Sequence, residues 1–382
     1  MGVPPLRRDV AVPAVRRKAR TALIASTYHR LAALLRTLVA AGALALAGAP
    51  ALLAAPAQAA GSTLIVEGAG NGHGVGMSQW GALGYAQHGW SDQQILAHYY
   101  TGTALGQAPA GFVVKVLEGS RVVGVPLERY VRGVVSAEMP ASWPLEALEA
   151  QAIASRTFAL TADAGGRRFD VYADTRSQVY EGAAAETAAT NAAVADTAGQ
   201  VVTYEGRPAI TYYFASSGGM TEDDENSFAG SPPQPWLRGV PDAYETKASS
   251  WKVKISFASA AARLRGLVKG SLRGIEVLQR GASPRIVSAE VLGSGGDVQV
   301  SGPELEARLG LQSAWAYFSV RSAGKVTREP DASGRAPFAA PAPESPPAAP
   351  APTPSASAPQ GGSQAPVPAT AAGASTGGAS AG

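Results

Sequence analysis

Five glycines recur at strict period two near the start of the chain's richest stretch: Gly68, Gly70, Gly72, Gly74 and Gly76, inside GAGNGHGVGMSQWG. Side chains alternate between faces of an extended chain, so this spacing predicts a segment with one bare face. Another backbone or a flat ligand could approach that face closely, and the spacing alone does not choose between them. Asn71, His73, Val75 and Met77 share the opposite face. No register gives G-x-G-x-x-G and no Lys-Ser/Thr follows, which excludes a dinucleotide fingerprint and a phosphate loop. Gly76-Met77-Ser78-Gln79-Trp80-Gly81 misses the nucleophile elbow G-x-S-x-G by one residue, and Ser216-Ser217-Gly218-Gly219 lacks the leading glycine.

The two ends differ from what lies between. Residues 1–59 hold eight Lys/Arg against Asp9 alone, leaving 24 basic and 28 acidic residues in the remainder. The net charge of +3 therefore belongs to the N-terminus and is no argument for nucleic-acid binding. The basic residues precede an apolar run from Leu38 to Leu53, interrupted by Pro50 and followed by Ala57-Gln58-Ala59. This order reads as a secretory signal with a small-x-small cleavage site, or as an anchor if it stays uncleaved. From Glu329 to Gly382, 12 of 54 residues are Pro and Phe338 is the sole aromatic. Such a tail buries too little apolar surface to order itself, and reads as a spacer or a passive extension. Residues 60–328 remain as the folded part. The absence of Cys excludes a disulfide scaffold, thiolate-held zinc, iron–sulfur clusters and a thiol nucleophile.

Within 60–328 the pattern predicts an α+β fold. A strand opens at Thr63–Val66, helices follow at Ser78–His88 and Ser91–Tyr100, and Phe112–Leu117 reads as a strand. The strongest helix spans about 144–163, with Pro144 in its first turn and Gly165-Gly166 beyond it. Leu145, Leu148, Ala152 and Ala159 mark its buried stripe, with Glu146 and Glu149 off it. Val201–Tyr204 and Ile210–Ala215 read as a hairpin around Glu205–Pro208. Val287–Leu292 and Val298–Val300 form another, and a short helix stands behind Ser301.

His29, His73, His88 and His98 form no compact ligand set, so no metal site is expected. Glu138 is the most informative carboxylate. It lies in Val134-Val135-Ser136-Ala137-Glu138-Met139-Pro140, with no basic residue nearer in sequence than Arg132. Apolar surroundings would raise its pKa and keep it protonated, the state a general acid needs. A solvated glutamate at an element's end fits the same residues.

Several blocks together carry a family. Glu138-Met139-Pro140, Trp143 to Ala152 and Ser155-Arg156-Thr157 resemble the EMP…EALKAQA…ART signature of the SpoIID/LytB family. Gly72 to Ala82 is similar to its GHGVGMSQ block, continued by Ile95 to Thr103. Gln178-Val179-Tyr180, Ser216 to Thr221 and Pro235-Trp236-Leu237 also fit. The resemblance implies an exported peptidoglycan lytic transglycosylase without cofactor, acting on glycan strands stripped of stem peptides. It places the single catalytic acid and base at Glu138 and implies that Arg156 orients substrate or Glu138. Asn71, His73, Gln79, Gln178, Tyr180, Ser216, Ser217 and Thr221 become candidate sugar contacts, with Trp80, Tyr99 and Tyr100 as flat platforms. Membrane contact would come only through an uncleaved N-terminus.

Two departures qualify the resemblance. The GHGVGMSQ block here precedes Glu138 instead of following it, a circular permutation. The zinc that some members hold is not implied, because 170–178 contains neither Cys nor His. Two other functions stay in view. One is a non-catalytic glycan-binding modifier of a cell-wall amidase. The other is a hydrolase, which normally needs a second carboxylate, for which Asp170 and Asp174 are nearest in sequence.

Overall fold

The chain forms helices where apolar residues recur at helical spacing, some with a capping side chain on the first free N–H groups and the two longest behind a proline. A computed structural model describes residues 61–245, 250–328 and 331. The expected signal, 1–59, and all of the expected tail but Asp331 lie outside the described residues. The eight α-helices of the described chain are α1 (Gln79–Gln87), α2 (Asp92–Tyr99), α3 (Leu127–Glu138), α4 (Leu145–Thr161), α5 (Ala188–Asp196), α6 (Asp224–Ser227), α7 (Phe257–Arg263) and α8 (Gly302–Leu309). Among the described residues no helix is long and apolar enough to cross a membrane. The architecture is α+β with mixed sheets. Val113–Glu118, for example, pairs antiparallel with Arg121–Pro126 and parallel with Val171–Tyr172.

The first hydrophobic core surrounds α4, which is buried on nearly every face from Ala147 to Ala159. Five alanines let α3, α5, α1 and α2 approach it closely, so the expected single stripe widens into an all-round contact. Leu145, assigned to that stripe, is 42% exposed in the first turn. α3 is the element that its Val-rich sequence disguised. Leu127, Tyr130, Val131, Val134 and Val135 all face the core at spacings of three and four.

The second core belongs to residues 250–328 and the strand Thr63–Gly68. That strand lies between Trp251–Ser256 and Ala316–Ser322, antiparallel to both. Leu64 and Val66 pack there with Ile275, Val291, Leu305 and Phe318. The hairpin of Ile286–Gly293 with Val298–Ser301 forms as the sequence predicts. Ser301 caps α8 through Glu304 N–H, and Gly310 at φ 68° ends it. Thr63 and Arg321 are register partners, so the two ends of the described fold lie side by side.

Two expectations change. Beyond Gly68 the glycine segment is not a regular strand, because Gly70, Gly72, Gly74 and Gly76 take φ of 77°, 100°, 89° and 76°. These left-handed values are open to glycine and strained for other residues. The close approach is nevertheless there, and it is to protein. A Cβ on Gly76 would overlap the Tyr212 carbonyl oxygen, and one on Gly74 would stand 2.6 Å from Arg285 Nε. The second change is the 201–215 hairpin. Glu205 and Gly206, both at positive φ, turn Gln200–Tyr204 back only onto Arg207–Pro208. Tyr213–Phe214 leaves to pair in parallel with Met77–Ser78.

Gly76→Ala is expected to lower unfolding free energy by at least ~2 kcal/mol, since the residue must both hold positive φ and displace a backbone carbonyl. Urea unfolding followed by far-UV circular dichroism measures this.

Candidate active site

The C-terminal residue of α3 is Glu138, beyond which Met139 turns to an extended conformation. The side chain is half-buried among segments remote in sequence. Its Oε2 accepts from Gln79 Nε2 at 3.1 Å, and its Oε1 accepts from the Val179 N–H at 2.9 Å. Tyr213 adds a further hydrogen bond. Burial raises the carboxyl pKa above its ordinary value, while these donors oppose the rise. The result is one desolvated carboxylic acid whose conjugate base has donors already in place.

Polar side chains behind Glu138 fix its surroundings. Gln178 is buried, accepts from Tyr130 Oη at 3.0 Å and donates to Tyr213 Oη at 2.9 Å. Ser155, bonded by Gln151 at 2.9 Å, interacts with the same Tyr213 hydroxyl. Trp80 follows Gln79 in α1, and Trp143 lies in the turn after Glu138 closed by Trp143 N–H to Pro140 O at 3.0 Å. Both rings are half-buried, with centroids 5.1 Å apart. Tyr180 stacks on Tyr130 at 5.0 Å and lines a cleft of ≈ 440 Å³ with Arg129, Glu118 and Pro126.

The structure thus brings Glu138, Gln79, Trp80, Gln178 and Tyr180 into one region. Tyr130, Ser155, Trp143, Tyr213 and the Val179 N–H complete it and were not singled out from the sequence as site residues. Val179 sits inside the Gln178-Val179-Tyr180 motif, so a signal for it existed. Tyr213 read as an ordinary strand residue.

Other expected residues stand elsewhere. Tyr99 and Tyr100 are 0% exposed, their hydroxyls bonded to Asp242 Oδ1 at 2.9 Å and Tyr212 O at 2.8 Å. Buried on all sides, they present no platform to a sugar. Ser216 and Ser217 are buried and donate to the Glu245 carboxylate, and buried Thr221 bonds the Val240 backbone. His73 is half-buried against Tyr212, Phe214 and Phe228. Burial and the nearby Arg285 cation lower its pKa to about 4, so the ring is neutral at pH 7. Its Nδ1 accepts from the Val75 N–H at 3.1 Å, which puts the proton on Nε2. Asn71 keeps an exposed side chain, and its backbone pairs with Ser216.

Arg156 does not contact Glu138. Fully buried, it makes a two-pronged pair with Glu128 at 2.9 and 2.8 Å and also bonds the carbonyls of Gln200 and Val194. It ties α4 to α3, α5 and the strand Gln200–Tyr204. The two aspartates considered as a second acid are engaged apart from Glu138. Asp170 accepts from the Lys115 N–H and Asp174 pairs with Arg176.

Residues 118–204 match the family model described as Stage II sporulation protein, SpoIID, a window that contains Glu138, Arg156, Gln178 and Tyr180. Stage II sporulation protein D of Bacillus subtilis (strain 168) is 29% identical over 229 residues, 55% of this chain and 65% of that protein. An uncharacterized protein of Brachyspira hyodysenteriae is 39% identical over 117 residues, 30% of this chain and 31% of its own. The amidase enhancer of Bacillus subtilis is 40% identical over 104 residues, 27% of this chain and 14% of that protein. The region around Glu138, residues 118–204, is thus similar to the SpoIID family.

Two outcomes follow from this geometry. Glu138→Gln removes a buried group whose raised pKa penalises the charged form. It is expected to raise the thermal midpoint near pH 7, with the difference vanishing below the ordinary glutamate value of 4.5. Arg156→Lys cannot reproduce the two-pronged pair and is expected to lower stability by about 2 kcal/mol, while turnover per folded molecule persists. Calorimetry across pH and denaturant titration with activity assays read these.

Proposed function

We propose that this protein is an exported peptidoglycan lytic transglycosylase that cleaves the bond between N-acetylmuramic acid and N-acetylglucosamine, with Glu138 as its single acid and base. The observation that carries this reading is the desolvated Glu138 carboxyl held between Gln79 and the Val179 N–H. Burial raises its pKa and favours the protonated form, which gives its proton to the bridging oxygen. As the glycosidic bond breaks, positive charge develops at C1 of the muramyl ring. The new carboxylate keeps its hydrogen bonds from Gln79 and Val179, so those donors stabilise the charge that forms. The same carboxylate then accepts the proton of the muramyl C6 hydroxyl as its oxygen bonds C1. The product ends in a 1,6-anhydro ring, water is not consumed, and Glu138 returns to its starting state.

Hydrolysis would place a second carboxylate roughly 5–10 Å from the first to activate or replace a water. Asp170 and Asp174, the candidates for that role, are engaged with the Lys115 N–H and with Arg176, and this favours the intramolecular route. Trp80 and Trp143 supply apolar faces for sugar rings beside Glu138, and Tyr180 with Arg129 extends the binding surface. Action on glycan already freed of stem peptides, and export through the N-terminal signal, belong to the same reading.

The match to an amidase enhancer favours a second reading, a glycan-binding modifier of a cell-wall amidase without turnover of its own.

The purified protein and its Glu138→Gln variant are to be incubated with intact and with peptide-free glycan, and the ends read by mass spectrometry. Anhydromuramyl ends from the unsubstituted protein alone are expected. Reducing ends would mean hydrolysis. Binding without new ends, with the rate of an added amidase increased, would establish the second reading.

A further inference from the structure

A pair of carboxylates that the chemistry above does not use lies beneath α1. Asp242 is 3% exposed. Its Oδ1 accepts from Tyr99 Oη at 2.9 Å, whereas Oδ2 is buried without a hydrogen-bond partner. The Ser78 and Ser217 hydroxyls also lie against this carboxyl. Three residues on, Glu245 donates its N–H to the Asp242 carbonyl at 3.3 Å. Its carboxylate accepts from Ser216 Oγ, from Ser217 Oγ at 2.9 Å and from the Gly218 N–H at 2.7 Å.

Counting protons constrains this cluster. A serine hydroxyl has one hydrogen to donate and two lone pairs. The Ser217 proton goes to Glu245, and one of its lone pairs takes the Gly219 N–H at 2.9 Å. Toward Asp242, Ser217 can act only as an acceptor. An ionised Asp242 could draw on the Tyr99 and Ser78 hydroxyls, but it would meet Ser217 lone pair to lone pair and face a second negative charge, which low-dielectric surroundings penalise. A proton on Oδ2 removes the repulsion and lets Asp242 donate to Ser217, which donates in turn to Glu245. Every charged or titratable group facing Asp242 agrees with a neutral acid. α1 contributes Tyr85 and α2 contributes Tyr99, both with hydroxyl pKa values raised by burial and by Asp242, and Glu245 adds negative charge. Arg285 acts on the far side, through Glu245. Burial followed by Glu245 holds the Asp242 pKa up to about 7.

The cluster reaches the candidate catalytic acid in one step. Ser78 caps α1 by accepting the Gly81 N–H at 3.0 Å, and the next residue, Gln79, donates to Glu138. Gly81 lies so close to Asp242 and Tyr99 that a Cβ there would overlap both. We propose that Asp242 is a positioning residue. As a neutral acid it clasps the first turn of α1 to the 216–219 loop and so holds Gln79 on Glu138. The claim about Glu138 rests on the transglycosylase reading, and the claim about the proton does not.

The test compares the full-length protein with its Asp242→Asn and Glu245→Gln variants from about pH 5 to 9, by thermal midpoint and by kcat and KM on peptide-free glycan. A carboxyl with a raised folded pKa contributes stability below its unfolded value and loses it as pH rises through its folded value. The unsubstituted protein should therefore lose stability relative to Asp242→Asn as pH rises from about 5 to about 7, with the difference levelling off above that. Glu245→Gln, which removes the facing charge, should shift that loss to lower pH. The Glu138 titration cancels in the ratio of kcat for Asp242→Asn over the unsubstituted protein. That ratio should rise about threefold or more from pH 6 to 8.5, with the ratio of KM unchanged.

Parallel stability curves for the unsubstituted protein and Asp242→Asn, or a Glu245→Gln curve that does not move, overturn the proton assignment. Diverging stability with a flat kcat ratio overturns the positioning role. If no chain makes anhydro ends, the transglycosylase reading fails by itself. The same pH ratio is then taken from glycan dissociation constants, and a flat ratio again overturns the positioning role.

Discussion

Backbone lying directly on backbone along residues 70–78 is the constraint on which the site depends. At Gly76 no side chain fits between its Cα and the Tyr212 carbonyl, and at Gly72 a Cβ would touch the Phe214 side chain at 3.0 Å. This contact sets Met77-Ser78 in register with Tyr213-Phe214. One side of that two-residue ladder runs straight into Gln79, and the other presents Tyr213. Both meet Glu138, which arrives from the end of α3. A carboxylate that no neighbouring residue in sequence could hold is thereby gripped by three distant ones. The second core secures the same segment from beneath, since the strand leading into it is flanked on both sides by strands of the 250–328 region.

The energetics of the site run against stability and in favour of reactivity. Removing Glu138 from water disfavours its charged form, while hydrogen bonds from Gln79, Val179 and Tyr213 favour it. Neither influence alone suits an acid that must give up a proton and later take one. Burial without donors would leave the conjugate base too costly, and donors without burial would leave a permanent carboxylate. Folding must hold this compromise in place, and the buried Arg156–Glu128 pair supplies part of the rigidity. It locks α3, which carries Glu138, to α4.

Several elements were legible because one residue type decides each of them. Ser78, Ser91 and Ser301 announce helix starts, and all three cap as their chemistry requires. The long helix near 144–163 and the hairpin before Ser301 follow from periodicity that no tertiary contact opposes. Glu138 stood out through its apolar neighbours. The misread features depend instead on what a residue meets across the fold. Alternate glycines look the same in a pleated strand and in a chain that takes left-handed φ at each of them. Tyr99 and Tyr100 have the composition of a sugar platform, but α2 turns both inward. Arg156 carries the charge expected of a catalytic cation, and only the fold shows that its partner is Glu128. Tyr213 bears no mark in sequence at all, since its hydroxyl gains meaning from Gln178 and Glu138.

The permuted order of the motifs is also explained by strand pairing. Thr63–Gly68 and Ala316–Ser322 are antiparallel neighbours, with Thr63 opposite Arg321. Antiparallel neighbours are what a short hairpin connects, so a chain that ran from 322 directly into 63 would need only a turn. In such a chain the glycine block would follow the Glu138 region, the order expected of the family, with no contact in either core altered. The fold therefore constrains where these segments lie more than the order in which they are joined, because Thr63 and Arg321 are neighbours in one sheet. What the permutation changes is connection, and the site is built from contacts. Gln79 comes to Glu138 through the register of Met77 with Tyr213, which does not depend on which segment is translated first.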